Sequence, residues 1–147
     1  MKLASTQYSL STKTFELYIS GCKEHPCNGC HAPELWDEIG NELDYIKLNK
    51  KIVSNLDIID NLMICGGEPL EKPKEEIVEL IKFLQQYKKP IWLYTRFEYD
   101  EVDSDILNEL NYIKCGKYDK NLLGNNIQYG IKLASANQKI YEVKKNG

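Results

Sequence analysis

Two short apolar runs, each stopped by glycine, constrain this chain more than any other feature. Thr14 to Ser20 (TFELYIS) runs into Gly21, and Asn61 to Cys65 (NLMIC) runs into Gly66-Gly67. Aromatic and β-branched residues at such density read as strands, and the glycines end them. Further runs follow at similar intervals. Ile91 to Thr95 (IWLYT) and Tyr112 to Cys115 are predicted strands, and Gln138 to Val143 is predicted as a last one.

Helical patterns fall between these runs. Asp44 to Leu48 reads as a short strand, and Asn49 then reads as the N-cap of a helix over Lys50 to Asp57, with Ile52, Val53 and Leu56 on its apolar side. Pro73 suits the first position of the next helix. From there Ile77, Leu80, Ile81, Leu84 and Tyr87 or Lys88 recur at helical spacing, and Lys89-Pro90 breaks the pattern. Asp103 to Leu110 reads as a short helix. Strands alternating with helices predict an α/β domain with a mostly parallel sheet. A closed eight-unit barrel needs about 200 to 250 residues. At 147 residues the chain has room for one domain, 1–147, and for an open, partial β/α barrel.

Ligand sites in such folds gather at the C-terminal ends of the parallel strands. Two loops are predicted there. The first, GCKEHPCNGCHAPELWD at 21 to 37, carries Cys22, Cys27 and Cys30 in a C-x4-C-x2-C arrangement. Thiolates bind zinc and iron–sulfur clusters well. A structural zinc site wants four protein ligands, and His25, His31 or Cys65 are candidates for the fourth. A cubane held by three cysteines leaves one iron open to an amine and a carboxylate. The spacing leaves zinc and iron–sulfur both open. The second loop is GGEP, Gly66 to Pro69. Its glycines let the backbone approach a ligand closely, Glu68 offers a carboxylate to an ammonium group, and Pro69 ends the strand. Alone, GGEP reads as an ordinary turn; beside a three-cysteine loop it reads as part of a site.

Composition narrows the classes. Nineteen basic and 22 acidic side chains give a net charge of −3, without the basic excess of a nucleic-acid binder. No apolar run approaches the roughly 18 residues of a membrane span. The start, MKLASTQYSL, does not read as a signal peptide, so the expected compartment is the cytoplasm. Five cysteines, three of them clustered, argue for metal rather than a disulfide framework. Cys65 and Cys115 are expected to be small buried residues at strand ends, His25 a solvent-facing residue, and Trp36 and Trp92 core or partner-facing anchors. The Lys/Glu mixture at 71 to 82 reads as the wet face of a helix and Lys144-Lys145 as a solvated tail.

Taken together, ISGC at 19 to 22, the C-x2-C and APELWD that follow, CGGEPL at 65 to 70, IWLYT, NYIKCGKYDKNL at 111 to 122 and SANQ at 135 to 138 resemble the radical S-adenosylmethionine enzymes, and among them the activating proteins of anaerobic ribonucleoside-triphosphate reductase. The resemblance implies an open, partial β/α barrel of radical SAM type. It implies a [4Fe–4S] cluster on Cys22, Cys27 and Cys30, with S-adenosylmethionine on the fourth iron. It places Gly66, Gly67 and Glu68 at the methionine ammonium, Gly29, Cys30 and His31 on the adenine side, and Thr95 as a further polar contact. Reductive cleavage of the cofactor would give a 5′-deoxyadenosyl radical that takes hydrogen from a glycine Cα of the reductase large subunit. A flavodoxin-like reductant is implied as electron donor. The chain departs from the family's usual C-x3-C-x2-C by one residue, has His31 where an aromatic residue is frequent, and has Cys115 where Asp is frequent. Activation of a formate-lyase type enzyme, a zinc-binding interaction module and a plain electron carrier are the competing readings.

Overall fold

The computed structural model describes residues 1–22 and 37–143. Twelve regular elements occur there: β1 (Lys2–Ser9), β2 (Thr14–Ile19), β3 (Asn41–Glu42), α1 (Tyr45–Ser54), β4 (Asn61–Gly66), α2 (Lys74–Gln85), β5 (Ile91–Tyr94), α3 (Ser104–Leu107), β6 (Tyr112–Cys115), β7 (Ile127–Gln128), β8 (Ile131–Lys132) and β9 (Lys139–Glu142). Seven strands form one sheet in the order β3-β1-β2-β4-β5-β6-β9, and β7 and β8 form a separate hairpin. The four central strands β2, β4, β5 and β6 are parallel. Both flanks are antiparallel, β1 and β3 on one side and β9 on the other. Three parallel pairings thus join the central strands, and three antiparallel pairings complete the flanks.

Side chains alternate across the sheet with the period of two that a strand imposes. Phe15, Leu17 and Ile19, Leu62 and Ile64, Ile91 and Leu93, and Ile113 and Cys115 point to one face, where α1, α2 and α3 cover them. Met63, Cys65 and Trp92 point to the other, where they pack with Leu133 and Ile140. Helix α2 presents Ile77, Leu80, Ile81 and Leu84 to the first face, all with no exposed surface. Each contributes about 1.5–3 kcal/mol through burial. Tyr87, rather than Lys88, completes that stripe; its hydroxyl donates to Asn49 Oδ1 at 2.6 Å.

Several sequence expectations are corrected. Asp44 to Leu48 is not a strand, and Asn49 does not cap a helix. Asp44 is itself the N-cap of α1, its carboxylate accepting from the N–H groups of Ile46 and Lys47 at 3.0 and 3.3 Å. Aspartate and asparagine cap comparably well, and the burial of Leu48 within the first turn sets the start of the helix at Asp44. Leu48 and Ile52 are the buried face, while Val53 is exposed. Pro73 is the N-cap of α2 and not its first turn. Strand β1 was not anticipated. Its polar alternation, KLASTQYS, hides it, and its partly exposed place between β2 and the two-residue β3 explains why so few apolar residues suffice. Trp92 is buried and stacks on Tyr112 with ring centroids 4.2 Å apart, a core role.

Candidate functional site

Because the four central strands are parallel, their C-terminal ends lie at one edge: Ile19 leads to Cys22, Gly66 to Glu68, Tyr94 to Thr95-Arg96, and Cys115 to Gly116. The two sequence-predicted loops are laced together there by backbone hydrogen bonds. Ile19 pairs with Gly66 in the ladder. Past that pair, Gly67 N–H donates to the Ile19 carbonyl and Glu68 N–H to the Gly21 carbonyl, both at 2.8 Å. The bend at GGEP therefore lies directly against the residues that lead to Cys22.

Gly66 makes this approach possible. Its φ is +123°, and a Cβ there would sit 2.2 Å from the Ile19 carbonyl oxygen. No L side chain fits in that space. Gly21 is held at φ +104°, with the Lys72 ammonium 2.6 Å from where a Cβ would sit.

Glu68 faces inward. It is 1% exposed, and its carboxylate accepts from Thr95 Oγ1 at 2.7 Å, Arg96 N–H at 2.7 Å and Leu70 N–H at 3.0 Å. Burial pushes its pKa up, opposed by those three donors and by the Arg96 charge. The carboxylate thus ties the loop after β4 to the loop after β5. Thr95, 3% exposed, is the partner of Glu68.

Arg96 completes the network and was not singled out by the sequence reading. Its side chain is 8% exposed. One terminal nitrogen donates to Glu71 Oε1 at 2.6 Å, its Nε lies 4.0 Å from Glu68 Oε1, and the guanidinium sits 4.2 Å over the Phe97 ring. Burial works against its charge, but the Glu71 hydrogen bond and the charges of Glu68 and Glu71 raise its pKa and keep it protonated. The signal that could have exposed it is its position: a basic residue directly after a core strand, at the edge where ligands gather.

Cys22 is buried, 7% exposed, at this edge. Cys27, Cys30, Gly29 and His31 lie outside the described residues, as do His25 and Trp36. Both ends of their segment are anchored. Ser20, with no exposed surface, donates from its hydroxyl to the Ile39 carbonyl at 2.8 Å and accepts from Ile39 N–H at 3.0 Å. Lys72 donates to Glu38 Oε1 at 2.8 Å. Among the described residues, no three His, Cys, Asp or Glu side chains converge to hold a metal. Cys65 packs in the second apolar cluster beside Met63 and Trp92, and Cys115 in the first. Burial raises the Cys65 thiol pKa and pushes that of Cys115 up to about 12, so both behave as packed hydrophobes.

The later motifs serve the fourth strand end. Gln138 Oε1 accepts from Ala134 and Ser135 N–H groups, and its Nε2 donates to the Gly116 carbonyl. SANQ thereby buttresses the turn after β6. No helix among the described residues is long and apolar enough to cross a membrane.

The sequence profile of a family described as the 4Fe-4S single cluster domain matches residues 12–141. Among curated proteins, the chain is similar to the anaerobic ribonucleoside-triphosphate reductase-activating protein of Haemophilus influenzae, with 30% identity over 106 residues. The match covers 66% of this chain and 66% of that protein.

Proposed function

We infer that, since this chain belongs to the 4Fe-4S single cluster domain family and to the family of the anaerobic ribonucleoside-triphosphate reductase-activating proteins, it is a radical S-adenosylmethionine activase for that class of reductase. Cys22, Cys27 and Cys30 would hold the [4Fe–4S] cluster, and the iron without a cysteine would take the amino and carboxylate groups of S-adenosylmethionine. Bound there, the two groups would supply one-electron reductive cleavage of the sulfonium and hydrogen abstraction from a glycine Cα of the reductase large subunit. The residues fit such a group in their donor chemistry: a buried thiol at a strand edge, with the partly exposed Gly66 and Gly67 beside it.

The protein's own work is placement. Gly66 and Gly67 would present backbone to the methionine ammonium, and Glu68 fixes that backbone from behind through Thr95 and Arg96. Gly29, Cys30 and His31 would lie on the adenine side. The sheet would form the open, partial barrel of radical SAM type, whose open side admits a protein loop. A flavodoxin-like reductant and a cytoplasmic setting complete the reading.

One observation carries this reading: the Gly67-to-Ile19 and Glu68-to-Gly21 hydrogen bonds, which put the glycine bend and the first cysteine side by side. The test is anaerobic reconstitution with iron and sulfide, then dithionite and S-adenosylmethionine. Cubane absorption, 5′-deoxyadenosine and, with the reductase added, a glycyl-radical resonance are expected. A colourless zinc protein, or a brown one that never yields 5′-deoxyadenosine, would reject it.

A further inference from the structure

Tyr129 and Gly130 form the two-residue loop of the β7–β8 hairpin, and both have positive φ, 52° and 74°, as a type I′ turn requires. Asparagine, aspartate or glycine is the usual first residue of such a turn, because a bulkier side chain is strained there. Here it is a tyrosine. A strained residue held by its surroundings points to a use for its side chain. The ring meets Trp92 and Tyr112 edge-on, with centroids 6.4 and 5.6 Å away, yet 56% of the residue stays exposed.

Three more exposed apolar side chains stand in the same stretch: Leu122, Leu123 and Ile127, at 44, 64 and 59%. Their backbone is pinned. The Leu122 carbonyl accepts from Ala136 N–H at 2.6 Å, and Asn126 Nδ2 donates to the Ser135 and Gln138 carbonyls, both at 2.9 Å. Apolar side chains fixed at a surface suit a contact site, since little freedom is lost on binding. Charge selects the partner. Residues 117–132 carry three lysines and one aspartate in a chain of net charge −3. Lys132 lies opposite Ile127 in the hairpin, and Lys120 opens the short turn that ends at Leu122; both are exposed. Two-fold self-pairing would set these lysines against their own copies. Three lysines on an acidic chain fall short of a nucleic-acid or lipid surface. Carboxylates on a protein partner fit them.

We propose that the Leu122–Tyr129 stretch, with Lys120 and Lys132, docks an acidic protein surface with an apolar centre, and that this surface belongs to the reductase large subunit. The proposal rests on the activase reading above. Position favours that occupant over a small electron donor. Trp92 and Tyr112 lie two and three residues before the C-terminal ends of β5 and β6, so the hairpin tip packs roughly 7–10 Å from the site edge. A donor has to come to that edge, whereas a large substrate protein can present its reacting loop there while its body is held elsewhere.

Calorimetric titration of the reconstituted full chain with the reductase large subunit tests this. Tyr129→Asn relieves the turn while removing the ring. Its affinity should fall at least about tenfold, as for loss of an aromatic anchor. With the reductase absent, its 5′-deoxyadenosine formation from dithionite and S-adenosylmethionine should match the wild type. Lys120→Glu combined with Lys132→Glu should weaken binding by a similar factor, and wild-type affinity should fall with rising salt. These exposed positions carry the test if Tyr129→Asn does not fold. Wild-type affinity in either variant, once folded, would overturn the proposal. So would a wild-type chain that sediments as a dimer and reverts to a monomer on Tyr129→Asn. A wild-type chain that does not bind the reductase would overturn it too, even if it forms 5′-deoxyadenosine. Binding through this hairpin without 5′-deoxyadenosine is a different result: it strikes down the activase chemistry and leaves the docking surface standing.

Discussion

Replacing Glu68 by Gln tests whether the buried carboxylate, and not the glycine bend alone, holds the two strand-end loops together. The carboxylate receives three donors, from Thr95 and Leu70 on one oxygen and from Arg96 on the other. A glutamine side chain has one acceptor oxygen and one NH2 group. Placed to keep Thr95 and Leu70, its oxygen leaves the Arg96 N–H facing another donor. Placed the other way, it abandons two. The better arrangement loses one hydrogen bond to a charged acceptor, worth about 1.5–3 kcal/mol. Glutamine also removes a buried charge, which works in the opposite direction. With a buried donor left unsatisfied in either arrangement, the loss should win, and a net destabilisation of about 2 kcal/mol is expected. Urea unfolding of the cluster-free protein reads it directly. For an m-value of about 2 kcal/mol/M, the midpoint should fall by about 1 M. An unchanged or raised midpoint would refute the reasoning and show that desolvation of the carboxylate outweighs its three donors.

Three further outcomes follow from the same edge of the sheet. Gly66→Ala should cost at least about 1–3 kcal/mol from its backbone conformation alone, more with the Cβ driven onto Ile19, and thermal unfolding would show it; a neutral change would mean the bend can relax. Ser20→Ala removes both hydrogen bonds to Ile39 and should lower stability by about 2 kcal/mol, with slower iron uptake on reconstitution; unchanged uptake would separate that contact from cluster assembly. Cys22→Ser should leave the fold intact by circular dichroism, since serine is nearly isosteric at a strand end, but abolish the cubane absorption. Chelation of iron from the wild type should reproduce that spectrum, and a retained cubane in the variant would remove Cys22 from the ligand set.

The core was legible because period-two and period-3.6 patterns are written in apolar residues. The β2, β4, β5 and β6 runs and the Ile77-Leu80-Ile81-Leu84 stripe appear where the pattern places them, to within a residue or two at their ends. The flanks were not legible. Strand β1 and the β7–β8 hairpin bury little, so their residues carry almost no apolar signal. The start of α1 was misplaced because Asp44 and Asn49 are both good caps, and only the packing of Leu48 chooses between them. At the site, glycine spacing pointed to the bend, but the inward turn of Glu68 depends on Thr95 and Arg96, which come from a loop 27 and 28 residues away in sequence. A carboxylate's direction is a tertiary fact that no local motif encodes.

Ser20 and Lys72 reach across to Ile39 and Glu38, so the stretch between Cys22 and Asp37 hangs from two posts already set by the sheet. Between fixed posts, one residue more in a span of about fifteen alters the chain entropy of closure by less than ~0.1 kcal/mol. The lengthened C-x4-C spacing is therefore a change that this scaffold absorbs almost without thermodynamic penalty. Natural variation in the number of residues between the first two thiols should be read as drift in a tolerant tether, whereas variation at Ser20 or Gly66 would signal a different architecture.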